Sequence, residues 1–389
     1  MWIDATDMMR WTQRKTGVQR VIHDLISTFC SISDTRLFYF SQVSGMFLEV
    51  NASDYFEYEG IREHDLPSRR SRLHTRTGPA LMRTTFRPAR FRHGDTILVP
   101  GGDWRRRGFL KRLGTLQRER RLNIHHFVHD VMPITMPHLF PECETVACLS
   151  YLRGAFAMVD SIITSSIWNI GDITSLMERE ILPRRAVHAV GLGTTTLRRN
   201  EVRRPRLTAD TDEFVLTVGT FELKKNRRLI YGAYKLAKRA DIELPKLVIA
   251  GQPGGIPDEG VRLLTHDPDL RGQVQIVRNP SDGEIRWLYE ASSYTIFPSL
   301  CEGWGIPIDE SLSFGKPCLT TDTSAMREVG GSSADYLDPY SAHALLDLMR
   351  SALDTCYLQR RGREIAEAYR PRQWSDVCMS IEHAVEGGS

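Results

Sequence analysis

Residues 298–331 read PSLCEGWGIPIDESLSFGKPCLTTDTSAMREVGG and contain a strand end, a glycine-rich turn and a short helix in direct succession. Pro307 is suited to the first turn of a helix, where its missing N–H group costs nothing. Gly315, followed by Lys316 and Pro317, predicts that this helix ends after about two turns. The turn before Pro307 then presents free backbone N–H groups at the positive end of a helix dipole, which predicts a site for an anion.

Two carboxylates flank this predicted anion site. Glu302 lies in the loop, and Glu310 follows eight positions later, near the end of the first helical turn. A ligand that carries a phosphate group between two hydroxyl-bearing parts fits this arrangement, because carboxylate oxygens accept hydrogen bonds from hydroxyl groups. A sugar nucleotide is such a ligand, with the sugar on one side of its diphosphate and the ribose on the other. The alternative interpretation of the two residues is a pair that caps the helix.

Short apolar runs rich in Val, Ile and Phe recur along the chain, and segments long enough for helices separate them. Several runs end directly in Gly or Pro, a pattern typical of parallel α/β units. Ligands of such sheets bind beyond the carboxyl ends of the strands. The predicted strands are Leu37–Phe40, Thr96–Val99, Ile124–Val128, Ser161–Thr164, Val187–Val190, Phe214–Val218, Lys246–Ala250, Val274–Val277, Thr295–Phe297 and Cys318–Thr320.

The length of 389 residues exceeds what one hydrophobic core usually serves and predicts two domains. The polar stretch 194–212 lacks apolar periodicity and is interpreted as the linker between them. The tail 372–388 predicts a helix with Trp374, Val377 and Ile381 on one face.

The composition excludes several classes of protein. With 41% hydrophobic and 25% charged residues the chain is globular, and it contains no run of 18 apolar residues that would span a membrane. The first residues lack the apolar core of a signal peptide. The seven scattered cysteines fit a reducing cytoplasm and argue against a disulfide scaffold or a structural zinc site. Motifs G-x-S-x-G, Walker A and G-x-G-x-x-G do not occur, which excludes the common hydrolases, NTPases and dehydrogenases.

Basic residues are concentrated in segment 61–121. This segment holds 17 Arg or Lys and five acidic residues, a net charge of +12, whereas the whole chain carries +3. Phenylalanines and leucines lie between the basic residues, and this mixture fits an anionic membrane surface. A solvated loop whose arginines pair locally is the alternative. Nucleic acid is not expected as a partner, because no nucleic-acid-binding motif accompanies the charge.

The stretch E-G-W-G-I-P-I-x-E at 302–310, with S-F-G-K-P-C-L-T-T-D and R-E-V-G-G after it, resembles the E-x7-E signature of family 4 retaining glycosyltransferases. The resemblance implies an α/β protein with the GT-B fold, in which two Rossmann-like domains face a cleft. We expect an acceptor-binding domain at 1–200, a donor-binding domain at 201–372, and a helix at 373–389 that crosses back to the first domain.

The same resemblance implies the donor-binding residues. Glu302 would contact hydroxyls of the transferred sugar as a catalytic residue, and Glu310 would hold the ribose. In FVLTVGTFELKKNRRLI at 214–230, Lys225 would bind the diphosphate as a point charge, with Asn226 beside it. Thr220 stands where many members carry an Arg, and Lys224 is expected at the surface. The turn residues assigned to donor binding are Gly303, Trp304, Gly305 and Ile306.

The first half is more divergent. Asp4-Ala5-Thr6 and T-G-V-Q-R-V at 16–21 resemble the first strand and glycine turn of a subgroup. Gly17 would let the backbone approach the donor phosphates, unless it serves only the turn. HHFVHDVMPITMP at 125–137 resembles an I-H-D-x-x-P element, so His129 would contact the transferred sugar as a catalytic residue and Asp130 would lie on the acceptor side. The alternative for this histidine is a structural role.

The resemblance implies a retaining hexosyltransferase that needs no metal and no other cofactor. We expect it to move mannose from GDP-mannose to a lipid-linked or oligosaccharide acceptor, in synthesis of a bacterial polysaccharide or O-antigen. A cytoplasmic position, peripheral at the inner face of the membrane, would follow from the Arg-rich segment. The alternatives are a UDP-hexose or dTDP-rhamnose donor, a GT-B sugar-nucleotide epimerase or hydrolase, and a catalytically silent membrane-associated scaffold.

Overall fold

The computed structural model describes residues 1–11, 15–65, 87–102, 104, 106–194, 197, 202–207 and 213–387, and of residues 60–65 the backbone alone. Two β-sheets organise these residues, one in each half of the chain. The predicted boundary between residues 200 and 201 falls outside the described residues, as does most of the predicted linker, so both stay predictions.

The described strands of the first half form one mixed sheet in the order β4-β3-β2-β1-β5-β6-β7-β8. Strands β1, β2 and β5 to β8 pair in parallel, whereas β3 pairs antiparallel with both β2 and β4. The antiparallel edge was not predicted. The strands are β1 Trp2–Asp4, β2 Arg36–Ser41, β3 Met46–Val50, β4 Arg87–Pro88, β5 Thr96–Val99, β6 Asn123–Val128, β7 Ser161–Thr164 and β8 Ala186–Ala189.

Helices cover both faces of this sheet. Along the central strands alternate side chains enter different clusters: Ile97 and Val99 contribute to one, and Leu98 to the other. This alternation is the period of two that a strand buried on both faces requires. The helices are α1 Thr6–Arg10, α2 Gly17–Ile32, α3 Ala52–Asp65, α4 Phe109–Arg120, α5 Met132–Thr135, α6 Glu142–Phe156 and α7 Ile167–Glu178.

The second sheet is parallel throughout its described pairs, with the order β11-β10-β9-β12-β13-β14. Leu247 and Ile249 of its strand β10 enter one core cluster, and Val248 and Ala250 enter another. The strands are β9 Phe214–Val218, β10 Lys246–Gly251, β11 Val274–Arg278, β12 Tyr294–Phe297, β13 Cys318–Thr321 and β14 Asp335–Leu337. The helices are α8 Arg227–Arg239, α9 Glu259–His266, α10 Asp282–Ala291, α11 Ile306–Ser313, α12 Met326–Gly330, α13 Ala342–Ser351 and α14 Thr355–Ala368.

The last helix, α15 (Trp374–Glu386), returns to the first half of the chain. Trp374, Val377 and Ile381 are buried in the same cluster as Ile22 and Phe29 of α2. The predicted apolar face of this helix is therefore confirmed. Its packing ties the end of the chain to the first sheet, so the two sheets are held on opposite sides of one cleft.

Each of the ten strands predicted from apolar runs is observed, with limits that differ by no more than one residue at either end. The predicted short helix after Gly305 is also confirmed as α11, which starts at Ile306 and ends at Ser313, before Gly315.

Candidate active site

A cleft of about 420 Å³ separates the two halves of the chain. Its walls come from the segments that follow the carboxyl ends of the strands: His129 after β6, Ser165 after β7, Gly219 after β9 and Asn279 after β11. The N-termini of α2 and α11 also reach this cleft. This is the position at which open parallel sheets bind their ligands.

Lys225 and Glu302 form an ion pair on the cleft wall. The distance between Lys225 Nζ and Glu302 Oε1 is 2.5 Å, and the two side chains are 11% and 12% exposed. Lys225 also lies over the ring of Phe297, with its Nζ 5.0 Å from the ring centroid. The backbone N–H of Glu302 donates to Ser324 Oγ at 2.8 Å, which fixes the loop that carries the carboxylate. A cation and a carboxylate are thus held together beyond the carboxyl ends of β9 and β12.

Asn226 does not line the cleft. Its side-chain amide donates to the carbonyl oxygens of Pro298 and Pro339, at 3.1 and 2.8 Å, behind Lys225. Asn226 adopts the left-handed conformation with φ 54°, which asparagine tolerates better than most residues. Its observed contacts fix the turn between Lys225 and α8 and differ from the predicted contact with the donor.

Lys224 was expected at the surface, and this expectation is wrong. Its side chain is 17% exposed and lines the cleft, with Nζ 3.9 Å from Glu222 Oε2. Burial lowers the pKa of Lys224, but the neighbouring carboxylates of Glu302 and Glu222 outweigh burial and raise it above its usual value. The sequence pattern does not show this because adjacent side chains of a 3₁₀ turn point in different directions. Here both lysine side chains contact carboxylates of the protein, Lys224 at Glu222 and Lys225 at Glu302.

Arg227 is a further cation that the sequence did not identify. Its side chain is buried, and its Nη1 and Nη2 groups donate to the carbonyl oxygens of Thr220 and Gly219, each at 2.9 Å. Asp258 accepts from the same guanidinium at 3.2 Å. Arg227 therefore fixes the backbone of the turn that contains Thr220, the residue at which many members of family 4 carry an arginine.

The glycine turn at 303–305 makes the close contact between the two halves. A Cβ atom on Gly303 would lie 2.6 Å from the carbonyl oxygen of His129. The carbonyl oxygen of Gly303 instead accepts hydrogen bonds from Ser165 Oγ at 2.9 Å and Asn169 Nδ2 at 3.1 Å. Only glycine permits this approach, because any side chain would separate the two segments.

The other turn residues orient the helix ends. Gly305 has φ +117° and precedes α11, so it supplies a conformation that other residues rarely adopt. Trp304 and Ile306 pack against the core of the first half. A Cβ on Gly17 would lie 3.2 Å from Ile306 Cδ1, which places the first turns of α2 and α11 against each other. Two helix N-termini converging on one cleft create a favourable place for an anion.

His129 and Asp130 both line the cleft. The carbonyl oxygen of Pro100 lies 2.8 Å from His129 Nε2 and can only accept, so Nε2 carries the proton and Nδ1 remains an acceptor. Burial lowers the pKa of His129, which keeps the imidazole neutral, and burial raises the pKa of Asp130. Asp130 Oδ1 also accepts from the backbone N–H of Met132 at 3.1 Å.

Glu310 is buried on the inner side of α11, 1% exposed. Its Oε2 accepts from the Tyr289 hydroxyl and its Oε1 from Arg20 Nη1, both at 2.8 Å. Burial raises the pKa of Glu310, while the charge of Arg20 opposes that shift. Arg20 was not among the predicted site residues, although it stands within the quoted T-G-V-Q-R-V motif.

Another carboxylate of the second half, Glu328, contacts the first half. Glu328 of α12 accepts from the backbone N–H groups of Ile167 and Trp168, at 2.8 and 2.7 Å, where α7 begins. These are the unpaired N–H groups of a helix end, for which a carboxylate is a favourable partner. Glu328 therefore helps to hold the two halves in contact.

No group of three or more His, Cys, Asp or Glu side chains that could hold a metal ion occurs in the described part of the chain. The expectation that the protein needs no metal or other cofactor stays a prediction.

Part of the Arg-rich segment 61–121 lies outside the described residues, including 66–86. Arg106 is buried and pairs with Asp4 and Asp7, so it contributes to the fold of the first half and not to a basic surface. Other members are exposed along a groove of about 840 Å³. The basic residues that line this groove are Arg36, Arg90, Arg92, His93, Arg112 and Arg120. None of the helices in the described ranges combines the length and the apolar character that a bilayer crossing requires.

Known proteins share this architecture. Sucrose-phosphate synthase from Thermosynechococcus elongatus superimposes with a TM-score of 0.64 at 14% identity, covering 99% of this chain and 98% of that one. The two facing sheets and the cleft therefore define an α/β protein of the GT-B fold, as predicted. Residues 198–368 match the family described as glycosyl transferases group 1. The predicted resemblance to this class of glycosyltransferases is thereby confirmed.

Two relatives extend the comparison. O-antigen chain mannosyltransferase B of Escherichia coli is 28% identical over 156 residues, which are 40% of this chain and 39% of that protein. GDP-mannose:cellobiosyl-diphosphopolyprenol alpha-mannosyltransferase of Komagataeibacter xylinus is 26% identical over 195 residues, 48% of this chain and 47% of that protein. Each match spans less than half of the relative's own length.

Proposed function

We propose that this protein is a retaining glycosyltransferase that moves mannose from GDP-mannose to a hydroxyl of a lipid-linked glycan, in synthesis of a surface polysaccharide or O-antigen. The observation that carries the proposal is the Lys225–Glu302 pair beside the N-terminus of α11, with Glu310 one helical turn further along the same cleft. The names of the two mannosyltransferase relatives support mannose as the sugar.

The donor would lie along the cleft with its base at one end and its sugar at the other. The base would rest near Asn279 and Ile285, and the ribose hydroxyls would donate to Glu310. The diphosphate would meet Lys225 and the free N–H groups at the start of α11. The sugar would then reach Glu302 and His129, whose carboxylate and Nδ1 accept hydrogen bonds from hydroxyl groups. Asp130 would lie on the acceptor side.

Transfer requires that the sugar C1–O bond to the diphosphate break and that a bond from C1 to the acceptor oxygen form on the same face. Lys225 and the helix N-terminus would stabilise the charge that develops on the leaving diphosphate. A phosphate oxygen of that leaving group would take the proton of the acceptor hydroxyl. Contacts of Gly303 and Glu328 with the first half would close the cleft and exclude water from the reacting centre.

The test is a transfer assay with GDP-mannose, UDP-glucose and dTDP-rhamnose, each with and without a polyprenyl-linked oligosaccharide. We expect mannose transfer from GDP-mannose, with the anomeric configuration retained in the NMR spectrum of the product. Transfer from another donor would contradict mannose as the transferred sugar and identify the sugar of that donor instead. Release of nucleoside diphosphate without transfer would favour a hydrolase, and an absence of turnover with all donors would refute the enzyme and favour a scaffold.

We also propose that the protein works in the cytoplasm, at the inner face of the membrane, and docks through the exposed basic groove. Basic residues near anionic headgroups contribute about 1 kcal/mol each. Flotation with phosphatidylglycerol vesicles should therefore be lost in R90E/R112E and weakened by salt, because the attraction is electrostatic. R179E/R184E makes the same charge change at two exposed sites outside the groove and should bind normally. Equal flotation with neutral vesicles would contradict the proposal.

A further inference from the structure

Arg20 connects the two halves of the molecule at the nucleoside end of the cleft. It lies one turn into α2, in the first half, and its guanidinium reaches two carboxylates of the second half. Nη1 donates to Glu310 Oε1 and Nη2 donates to Asp282 Oδ1, each at 2.8 Å. A planar guanidinium suits this task because its N–H groups diverge toward two acceptors at once, whereas a lysine offers a single point charge.

The two carboxylates differ in their surroundings. The Asp282 side chain is 41% exposed, whereas the Glu310 side chain is 1% exposed and the Arg20 side chain 14%. Water can therefore solvate Asp282, but the charge of Glu310 depends on protein groups. A buried carboxylate that lacks a cation takes up a proton in preference to remaining charged.

Glu310 retains acceptor capacity toward a ligand. A carboxylate has about four lone-pair directions, and protein donors use two of them here, one from Arg20 and one from Tyr289. Protonation would turn one acceptor oxygen into a donor and weaken a contact with two hydroxyl groups. The ionised state of Glu310 is thus the state that fits the ribose.

We propose that Arg20 is a positioning residue for the donor: it reaches across the cleft to hold Glu310 ionised and oriented toward the ribose hydroxyls. The inference rests on the proposed function, because it takes a nucleoside diphosphate as the ligand of this cleft. It adds a contribution of the first half of the chain to the nucleoside end, which the sequence had assigned to the second half alone.

The groups that face Glu310 come from three helices. They are Arg20 from α2, Asp282 and Tyr289 from α10, and Asp309 on α11 itself. Burial, Asp282 and Asp309 raise the pKa of Glu310, while Arg20 and the Tyr289 hydroxyl lower it. Since Arg20 is the cation of this set, its removal should shift the titration of Glu310 to higher pH.

The experiment measures GDP-mannose affinity by calorimetry between pH 5 and pH 8 for the wild type and for R20M, R20K and E310Q, because this diphosphate diester, unlike GDP, carries no terminal phosphate that titrates in that range. Affinity should fall at low pH as Glu310 takes up a proton, and we call this fall the acid limb. We expect the acid limb of R20M to lie at least one pH unit higher than that of the wild type, the usual effect of an adjacent cation on a carboxyl. R20K keeps the charge and should lie between R20M and the wild type. E310Q should have no limb. R262M removes the cation of an exposed ion pair and serves as the matched control.

A limb in R20M and R20K that coincides with that of the wild type would overturn the role of Arg20, and so would a limb that persists in E310Q. R20K decides the question if R20M does not fold. Failure of the wild type to bind GDP, UDP or dTDP at pH 8 would overturn the proposed function and the role of Arg20 together. The two failures are therefore distinguishable.

Discussion

Lys225 and Glu302 are 77 residues apart in sequence, yet their Nζ and Oε1 atoms are 2.5 Å apart. Each follows a strand, Lys225 after β9 and Glu302 after β12, and these two strands are neighbours in the second sheet. Parallel pairing brings their carboxyl ends to one edge. The pair thus depends on the strand order, which places a cation and a carboxylate at the same point of the cleft.

Separate replacement of the two partners should separate binding from chemistry. K225M should weaken affinity for the nucleotide sugar by about 10-fold or more, because a charge-assisted hydrogen bond is lost. E302Q should lower kcat by about 100-fold or more with a smaller effect on affinity, as expected for a group that acts on the transferred sugar. K238M, at an exposed lysine of α8, is the control in the same assays. Near-normal activity of both K225M and E302Q would refute the site.

A methyl group at residue 303 should force the two halves apart. In G303A the added Cβ would lie 2.6 Å from the carbonyl oxygen of His129, so the contact across the cleft cannot form as observed. We expect transfer to fall at least 10-fold and the radius of gyration in small-angle scattering to increase. G171A places its Cβ in open space on α7 and should leave both quantities unchanged. Equal behaviour of the two variants would contradict the close approach.

Two adjacent arginines of the basic segment should differ in their effect on stability. R106M removes the cation that neutralises buried Asp4 and Asp7, and we expect a loss of about 3–5 kcal/mol in the free energy of unfolding. R107M changes an exposed side chain and should alter stability by less than about 0.5 kcal/mol. Urea unfolding measures both. A similar midpoint for the two variants would argue that the described pairs of Arg106 contribute little.

His126 should make stability depend on pH below neutrality. Burial lowers its pKa to about 4, and it is held neutral between the carbonyl oxygen of Phe127 and the hydroxyl of Tyr151. An unfolded histidine has a pKa near 6.5, so between about pH 6.5 and 4 the unfolded chain binds a proton that the folded chain does not. Stability therefore falls with acidification through this window, by about 2–3 kcal/mol at pH 4.5.

H126Q removes this proton uptake. The difference in the free energy of unfolding between the wild type and H126Q should therefore narrow as the pH falls from 7.5 to 4.5. Urea titrations at four pH values measure it. A difference that stays constant across the range would show that His126 does not titrate as its burial indicates.

The sequence predicted the recurring strands and the turn at 302–310 because these depend on local signals. Apolar runs, glycines and prolines act within a few residues of themselves. Strands β3 and β14 were not predicted, because Met46–Val50 and Asp335–Leu337 carry weak apolar patterns and pair only once a neighbouring strand is present. The surface position expected for Lys224 was wrong, and the hydrogen bonds of Asn226 to Pro298 and Pro339 were not predicted, since a local pattern does not tell which side chain of a tight turn lines the cleft.

The sequence by itself determined the fold class, the glycine turn before α11 and the identities of Glu302, Glu310 and Lys225 as candidate site residues. The tertiary structure decided which groups surround them. Arg20 contacts Glu310, which is 290 positions away in sequence. Arg106 pairs with the buried carboxylates of Asp4 and Asp7 and is therefore not part of the basic surface. Such contacts arise from strand order and from the closing of two halves on each other. They leave no periodic trace in the chain, because electrostatic and packing forces act between atoms that are close in space, whatever their separation in sequence.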